Sequence, residues 1–422
     1  MHHEHSIIGK REHWGGTETV GIAQEDRRYH THIIGKTGSG KTTLVRNLIV
    51  QDIEAGRGVA VIDPHGDLAD ELLDFIPPRR IDDVIYFSPA DHEHPVALNI
   101  LRGHRDPALA ASVLVSAFKS IWSESWGPRL EYILYATLAS LIESPHTTIL
   151  GVQRMLIDET YRWWVVNQVK DPMIRSFWVN EFDGYEKRML AEMISPILNK
   201  SGQFGMAPVV RNILGQVRTS INFRRLMDSG QILIANLSKG SIGEDKSHLL
   251  GALLVSQLQL AAMSRQDIPE DERRDFNCYI DEFQAFSSES FISILSEARK
   301  YRLNLTLSHQ YLGQLPEKIR DAVLGNVGQV ISFRIGFEDA EIFSKDFGNV
   351  CLPEALSSLN RFHAFVRLTQ AGEYVDPFGI VTLSKLGRKY MSKARILQRS
   401  REWFTRDRKA VEQKIERWIA GT

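Results

Sequence analysis

The sequence predicts an α/β protein with a mainly parallel central sheet and an inserted all-helical domain, and three observations predict it. Short apolar runs alternate with amphipathic ones from Tyr29 to Leu101, and the same rhythm resumes after Asp228. From about Pro107 to Asp228, apolar residues instead recur at helical spacing almost throughout. A glycine-rich turn, Gly35 to Thr42, stands where the first strand of the alternation gives way to its first helix.

The N-terminal stretch "SIIGKREHWGGTETVGIA" has short apolar runs on either side of Gly15-Gly16 and reads as a hairpin leading into the sheet. Next come the strand "THIIG", the helix "TTLVRNLIVQDIEAG", the strand "GVAVID", the helix "ADELLDFI" and the strand "DDVIYFS". The insertion reads as helices such as "PALAASVLVSAFKSIW", "RLEYILYATLASLIE" and "EKRMLAEMISPILNK", broken at "WGP", "SPH" and "KSGQFGMAP". Alternation returns with "QILIANLS", the helix "SHLLGALLVSQLQLAAMSR", the strand–helix–strand from Tyr279 to Gln310, and "GQVISFRIG". A hairpin turning at Ala371-Gly372 and one basic helix, Lys385 to Trp418, close the chain. The expected organisation is a hairpin segment 1–28, an α/β domain of 29–104 and 229–384, a helical domain 105–228, and a C-terminal helix within 385–422.

With 422 residues and a formal charge of −1, the chain is not a generic polycation, so any nucleic-acid contact must come from local basic patches. One such patch is the C-terminal helix, where twelve cations face four carboxylates between Lys385 and Trp418. It suits phosphates, an adjacent subunit, or docking on apolar anchors such as Ile396, Trp403, Val411, Ile415 and Trp418. Cys278 and Cys351 are far apart and have no zinc spacing, which fits a reducing, cytoplasmic setting. The longest apolar stretch, Leu249 to Met263, is cut by Gln257 and Gln259 and is too short to span a bilayer. His2, His3, His5 and His13 have the composition of a metal tract but lack a carboxylate or cysteine framework, so no metal is expected there. Trp122, Trp126, Trp163, Trp164 and Trp178 suit base stacking, yet their helical spacing favours the core.

Gly35-Lys36-Thr37-Gly38-Ser39-Gly40-Lys41-Thr42 fits G-x-x-x-x-G-K-[ST], between an apolar strand and an amphipathic helix, with Thr43 following. Its glycines let backbone N–H groups converge on a β-phosphate, Lys41 reaches the β- and γ-phosphates of ATP, and the Thr42 hydroxyl ligates Mg²⁺. Hydrolysis further needs a carboxylate near the metal and a base for water, both at a strand end. "NCYIDE" offers Asp281 for Mg²⁺ and Glu282 for water. Arg299, at the end of a helix whose Phe291, Ile294, Leu295 and Ala298 form a buried stripe, is a candidate finger toward a neighbouring subunit's γ-phosphate, or a surface helix charge. Gln310, past the next strand, is a candidate sensor of γ-phosphate or water, or a polar strand cap. In "DPHGD", His65 suits the edge of the nucleotide site or DNA, and a capped loop turn explains it equally well.

These residues resemble the HerA and FtsK superfamily of DNA-pumping ATPases, and most of all the cytoplasmic domains of type IV secretion coupling proteins and related conjugation ATPases. The resemblance is carried by "RRYHTHIIGKTGSGKTTLVRNLI", "VIDPHGDLADELL", "NLSKG", "YIDEFQ", "SEARKYRLNLTLSHQ" and "NVGQVISFRIG", from about Arg27 to Phe347. It implies a RecA-like P-loop ATPase domain, a homohexameric ring with nucleotide between subunits, and largely sequence-independent DNA binding. It also implies Lys41 and Thr42 for nucleotide and Mg²⁺, Asp281 and Glu282 for Mg²⁺ and water, Arg299 for the finger, with Arg302 and Arg334 as rivals, and Gln310 for the sensor. Family members usually have glycine where Ala298 and Arg302 stand, and coupling proteins typically begin with membrane-spanning helices, so the expectation is a soluble relative. Its work is then DNA translocation in conjugative transfer or DNA processing, with a relaxosome, secretion or nuclease protein as a possible partner. The alternatives are an ATPase energising protein secretion or assembly, and an ATP-dependent ring scaffold for an effector.

Overall fold

A computed structural model describes residues 5–122 and 126–420. The chain forms two compact units, one of Met1–Phe87, Arg224–Lys239 and Arg265–Arg399, the other of Ser88–Phe223, Gly240–Ser264 and Ser400–Thr422. These bounds assign the helix Glu244–Met263 and the last helix, Arg408–Ala420, to the helical unit, beyond the 105–228 expected for it.

The first unit is built on an 11-stranded sheet in the order β2-β1-β11-β10-β9-β3-β8-β7-β4-β6-β5. The strands are β1 (His5–His13), β2 (Gly16–Ala23), β3 (Thr31–Ile34), β4 (Gly58–Asp63), β5 (Val84–Phe87), β6 (Ile232–Asn236), β7 (Phe276–Ile280), β8 (Leu303–His309), β9 (Gln329–Ser332), β10 (His363–Gln370) and β11 (Glu373–Thr382). From β9 to β5 every pairing is parallel. These strands read as continuous apolar runs because helices cover them, and β4, β7 and β8 are buried along their whole length. The N-terminal hairpin and the β10–β11 hairpin extend the sheet antiparallel, with Gly9 opposite Thr382. Of the expected N-terminal segment, β1 and β2 are thus part of the sheet.

Parallel order fixes where loops emerge. With β3, β8 and β7 adjacent and β4 beside β7, the loops after these four strands share the carboxyl edge. The helix Lys41–Glu54 packs its Leu44, Val45, Leu48, Ile49 and Ile53 into the apolar core of this unit.

A buried polar cluster joins three distant parts of the unit. Arg27 is fully enclosed, bonding Asp52 at 2.6 Å and the Tyr279 hydroxyl at 2.6 Å, while that hydroxyl donates to the other Asp52 oxygen at 2.6 Å. Arg57 adds an ion pair to Asp52 at 2.8 Å. Burial works against the Arg27 charge, but Asp52 and Tyr279 raise its pKa overall; burial opposes Asp52 ionisation too, and the two arginines hold Asp52 below the usual carboxylate range.

In the helical unit, Trp178 is buried against Phe177 and Phe182 and donates to Ser140 Oγ at 2.8 Å, and Trp122 stacks on Phe118. These two are core. Trp164 is 44% exposed and Trp163 half-buried, while Trp126 donates to Glu131 at 2.6 Å. The break expected at "KSGQFGMAP" comes later than read: Lys187–Met206 runs through Gly202 and Gly205 and ends just before Pro208, which opens the next helix.

The single C-terminal helix is corrected to two, Lys393–Phe404 and Arg408–Ala420. Thr405 forms an isolated bridge with Val96, and Asp407 caps the second helix by accepting from the Ala410 N–H at 2.9 Å. Much of this basic segment is neutralised inside each unit. Lys385 pairs with Glu71, Lys389 with Asp74, Lys393 with Asp70 and Arg399 with Asp82 in the first unit. Arg401 pairs with Asp91, and Arg408 with Glu93 and Glu412, in the second.

Candidate functional site

The phosphate loop follows β3 and is closed by backbone hydrogen bonds. Lys36 N–H donates to the Arg334 carbonyl at 2.8 Å, and Phe362 N–H donates to the Ser39 carbonyl at 2.8 Å. Gly40 has φ 122°, and a Cβ there would lie 2.9 Å from Phe362 Cδ1, so the loop requires glycine at that point. Lys36, Thr37 and Gly38 are exposed, whereas Lys41, the first residue of its helix, is buried. Its Nζ donates to the Gly35 carbonyl. Burial lowers the Lys41 pKa, against the pull of Asp281 and Glu282. Thr42 is exposed at the helix start and Thr43 half-buried behind it.

β7 delivers the acidic pair. Asp281 is 8% exposed; burial first, then the charges of Asp63 and Glu282, push it up to about 6, with Lys41 opposing. Glu282 takes a left-handed backbone, φ 48° and ψ 51°, where a β-carbon is crowded. Its carboxylate is surrounded by donors. Gln284 Nε2 reaches Oε2 at 2.5 Å, Gln310 Nε2 reaches Oε1 at 3.0 Å, and His65 Nε2 stands 3.8 Å from Oε1. Burial alone would raise the Glu282 pKa, but these three partners outweigh it and hold the group at about 2. His65 is raised in turn, chiefly by Glu282. Gln310 also accepts from Thr37 Oγ1 at 3.4 Å, so it touches the phosphate loop and the acidic pair together.

The residues fit a nucleotide phosphate and its divalent cation. Ser39 Oγ is buried without a partner among the described residues, the Lys41 amine is turned onto the loop's own carbonyl, and Asp281 is a buried carboxylate beside two other anions. Of the sequence-derived candidates, the carboxyl edge thus brings together Lys41, Thr37, Asp281, Glu282, Gln310 and His65. It does not bring Arg299. That residue is exposed in a 3₁₀ turn before β8, its guanidinium 3.9 Å from the centre of the Tyr29 ring. Crossing the seven residues of β8 at ~3.3 Å each puts it roughly 20 Å from the phosphate-loop edge. Arg302 lies at that same far edge, pairs with Asp275 at 3.6 Å and has φ 55°, the region that favours glycine. Arg334 is half-buried beside Lys36 at the near edge.

His2 and His3 lie outside the described residues, and His13 contacts the Trp14 carbonyl at 3.4 Å. Among the described residues no helix is long and apolar enough to cross a membrane. Sequence reading passed over Gln284, whose place two residues after Glu282 was the only signal, and the buried pair His32 and His309, whose rings stack 4.7 Å apart with no hydrogen-bond partner among the described residues.

Residues 19–171 match the family described as DUF87: Helicase HerA, central domain. No curated protein matches the chain. Among solved structures, the plasmid coupling protein TrwB in complex with ADP and Mg²⁺ is similar over 89% of this chain and 90% of its own, with TM-score 0.64 and 13% identity. The bacterial conjugative coupling protein TrwBdeltaN70 aligns over 88% of each chain, with TM-score 0.60 and 14% identity. VirB4 of Thermoanaerobacter pseudethanolicus aligns over 90% of this chain and 96% of its own, with TM-score 0.57 and 14% identity. The α/β ATPase fold with its RecA-like sheet is therefore shared with these proteins.

Proposed function

We propose that this chain, a HerA- and FtsK-type P-loop ATPase related to the conjugation ATPases, is an ATP-driven motor that translocates DNA. The observation that carries the reading is the meeting of the phosphate loop and the acidic pair through Gln310 at one sheet edge. Gly35 to Thr43 cradle the triphosphate, with Lys41 leaving the Gly35 carbonyl for the phosphate oxygens. Thr42 and Asp281 would hold Mg²⁺, which would supply positive charge to neutralise the phosphates. Glu282, ionised at neutral pH, accepts the proton of the attacking water. Gln310 orients that water or reports the γ-phosphate.

The exposure of Arg299 on the opposite sheet edge suits a cation that works on a neighbouring copy's nucleotide, and so a homohexameric ring. The DNA contact is largely sequence-independent and made to the phosphate backbone. A relaxosome, secretion or nuclease protein would supply the biological address.

The test is the steady-state ATPase rate with and without single- and double-stranded DNA, beside native mass measurement. DNA stimulation with a hexameric mass supports the motor. Stimulation only by a partner protein would move the reading to a protein-assembly ATPase, and DNA-independent turnover too slow for movement to a ring scaffold.

A further inference from the structure

We propose that Gln284 and His65 are positioning residues for Glu282: the Gln284 amide donates to its carboxylate and the His65 imidazole stands beside it, and together they hold it at the angle from which it reaches water. The inference rests on the reading of Glu282 as the base and adds two residues to it.

The geometry comes from neighbouring strands. Glu282 follows β7 in a left-handed conformation, and the chain turns at once into the 3₁₀ segment Phe283–Ala285. That turn brings the Gln284 amide back over the carboxylate, at 2.5 Å from Oε2. The Gln284 orientation is determined by chemistry, because its oxygen would repel the carboxylate and only its NH₂ can face it. Its Oε1 is then buried without a partner among the described residues, so the side chain forgoes a hydrogen bond to keep this one.

His65 arrives from β4, the strand beside β7. Its loop is tied down by Asp63, a fully buried carboxylate that accepts from the His65 N–H at 2.8 Å and from the Ala69 N–H at 2.9 Å. Gly66 has φ 91°, and a Cβ there would lie 2.6 Å from Asn236 Oδ1, which keeps the loop close to β6. The imidazole consequently stands over Glu282 Oε1, on the same oxygen as Gln310. One carboxylate oxygen is thus held by the short local donor and the other by the Gln310 amide, with the His65 imidazole 3.8 Å away as an electrostatic neighbour from the flanking strand. A base misaimed by about an ångström loses on the order of a hundredfold in rate, and fixed donors prevent that loss.

The test compares full-chain variants by kcat, KM and the affinity of a fluorescent ADP, with Glu282→Gln as reference. Gln284→Met keeps length and volume but removes the donor; His65→Leu removes the imidazole, and His65→Gln restores an N–H at the place of its Nε2. Expected are kcat losses of about tenfold or more in Gln284→Met and His65→Leu, ADP affinity within about twofold of wild type, and substantial recovery in His65→Gln. Wild-type kcat in Gln284→Met and His65→Leu, with Glu282→Gln inactive, overturns the proposal alone. A kcat loss that tracks ADP affinity, or that His65→Gln fails to relieve, overturns it as well. Normal turnover by Glu282→Gln overturns the reading of Glu282 itself.

Discussion

Gln310 Nε2 donates to Glu282 Oε1 at 3.0 Å while its own Oε1 accepts from Thr37 Oγ1 at 3.4 Å, so one amide spans the phosphate loop and the carboxylate. The span exists because β8, which ends at His309, lies between β3 and β7. Gln310→Ala is expected to leave ADP affinity within about threefold and to lower kcat by about tenfold or more, since it removes orientation and leaves the cradle intact. Single-turnover hydrolysis beside ADP titration separates the two effects. An equal fall in both would make Gln310 a part of the cradle.

Gly40 has no room for a side chain. At φ 122°, with Phe362 Cδ1 2.9 Å and Phe333 Cε1 3.1 Å from a built Cβ, Gly40→Ala must shift the loop away from β9 and the segment before β10. Loss of ADP binding by tenfold or more is expected, with Tm lowered by only a few degrees. Lys41→Ala serves as the charge control: binding should fail with Tm unchanged, because among the described residues the Lys41 amine bonds only a loop carbonyl. Normal turnover by Lys41→Ala would dismiss the cradle.

A finger on the far sheet edge acts only through a second copy. Arg299→Ala and Glu282→Gln proteins should each be inactive, and mixing them should restore part of the ATPase rate, because some interfaces then carry an intact pair. Arg334→Ala, on the near edge, should show no such rescue. Arg302→Ala, also on the far edge, removes a pair to Asp275 and should keep most activity. Absence of rescue in the Arg299 mixture counts against its action in trans.

The alternation of strand and helix was legible because parallel strands buried on both faces, such as β4 and β7, are continuous apolar runs. The phosphate loop was legible for a similar reason: its chemistry is local, eight residues with the helix attached. What stayed hidden depends on strand order. Nothing near "DPHGD" says that His65 will meet Glu282, since that follows from β4 lying beside β7. The split at Thr405 was missed because charge dominates that stretch, and the break is set by Val96, more than 300 residues earlier. Arg27, Asp52 and Tyr279 carry no local signal that they meet, and only folding encloses them together.

That enclosed triad makes a stability prediction. Asp52→Asn leaves Arg27 buried with its compensating charge removed, a change that costs about 3–5 kcal/mol when a buried pair is broken. Tyr279→Phe removes a donor and an acceptor and should cost about 1–3 kcal/mol. Because the three groups form one network, the double variant should lose less than the two single losses added. Urea unfolding with the m value held constant measures all three. Additive losses would mean that the groups act independently.

The stacked histidines predict how stability responds to mild acid. Burial holds His32 well below its ordinary value, helped by the charges of His309 and Arg367, and burial pushes His309 down to about 4, with Glu282 opposing and Lys41 assisting. Both rings are neutral in the fold and take up protons more readily when unfolded, where the pKa is about 6.5. Their contribution is therefore complete above about pH 6.5 and is lost as pH falls toward 4; for His309 alone the loss reaches about 2 kcal/mol by pH 5. Asp281 works in the opposite sense, since its raised pKa lets the folded state bind a proton first, and the buried His30 adds to the loss. The pair is isolated by difference. His32→Phe with His309→Leu should flatten the fall in unfolding free energy between pH 7 and 5 by at least about 2 kcal/mol, while Asp281 and His30 titrate alike in both proteins. A fall as steep in the variant as in wild type would mean that the two rings are protonated, or open to water, in the folded state.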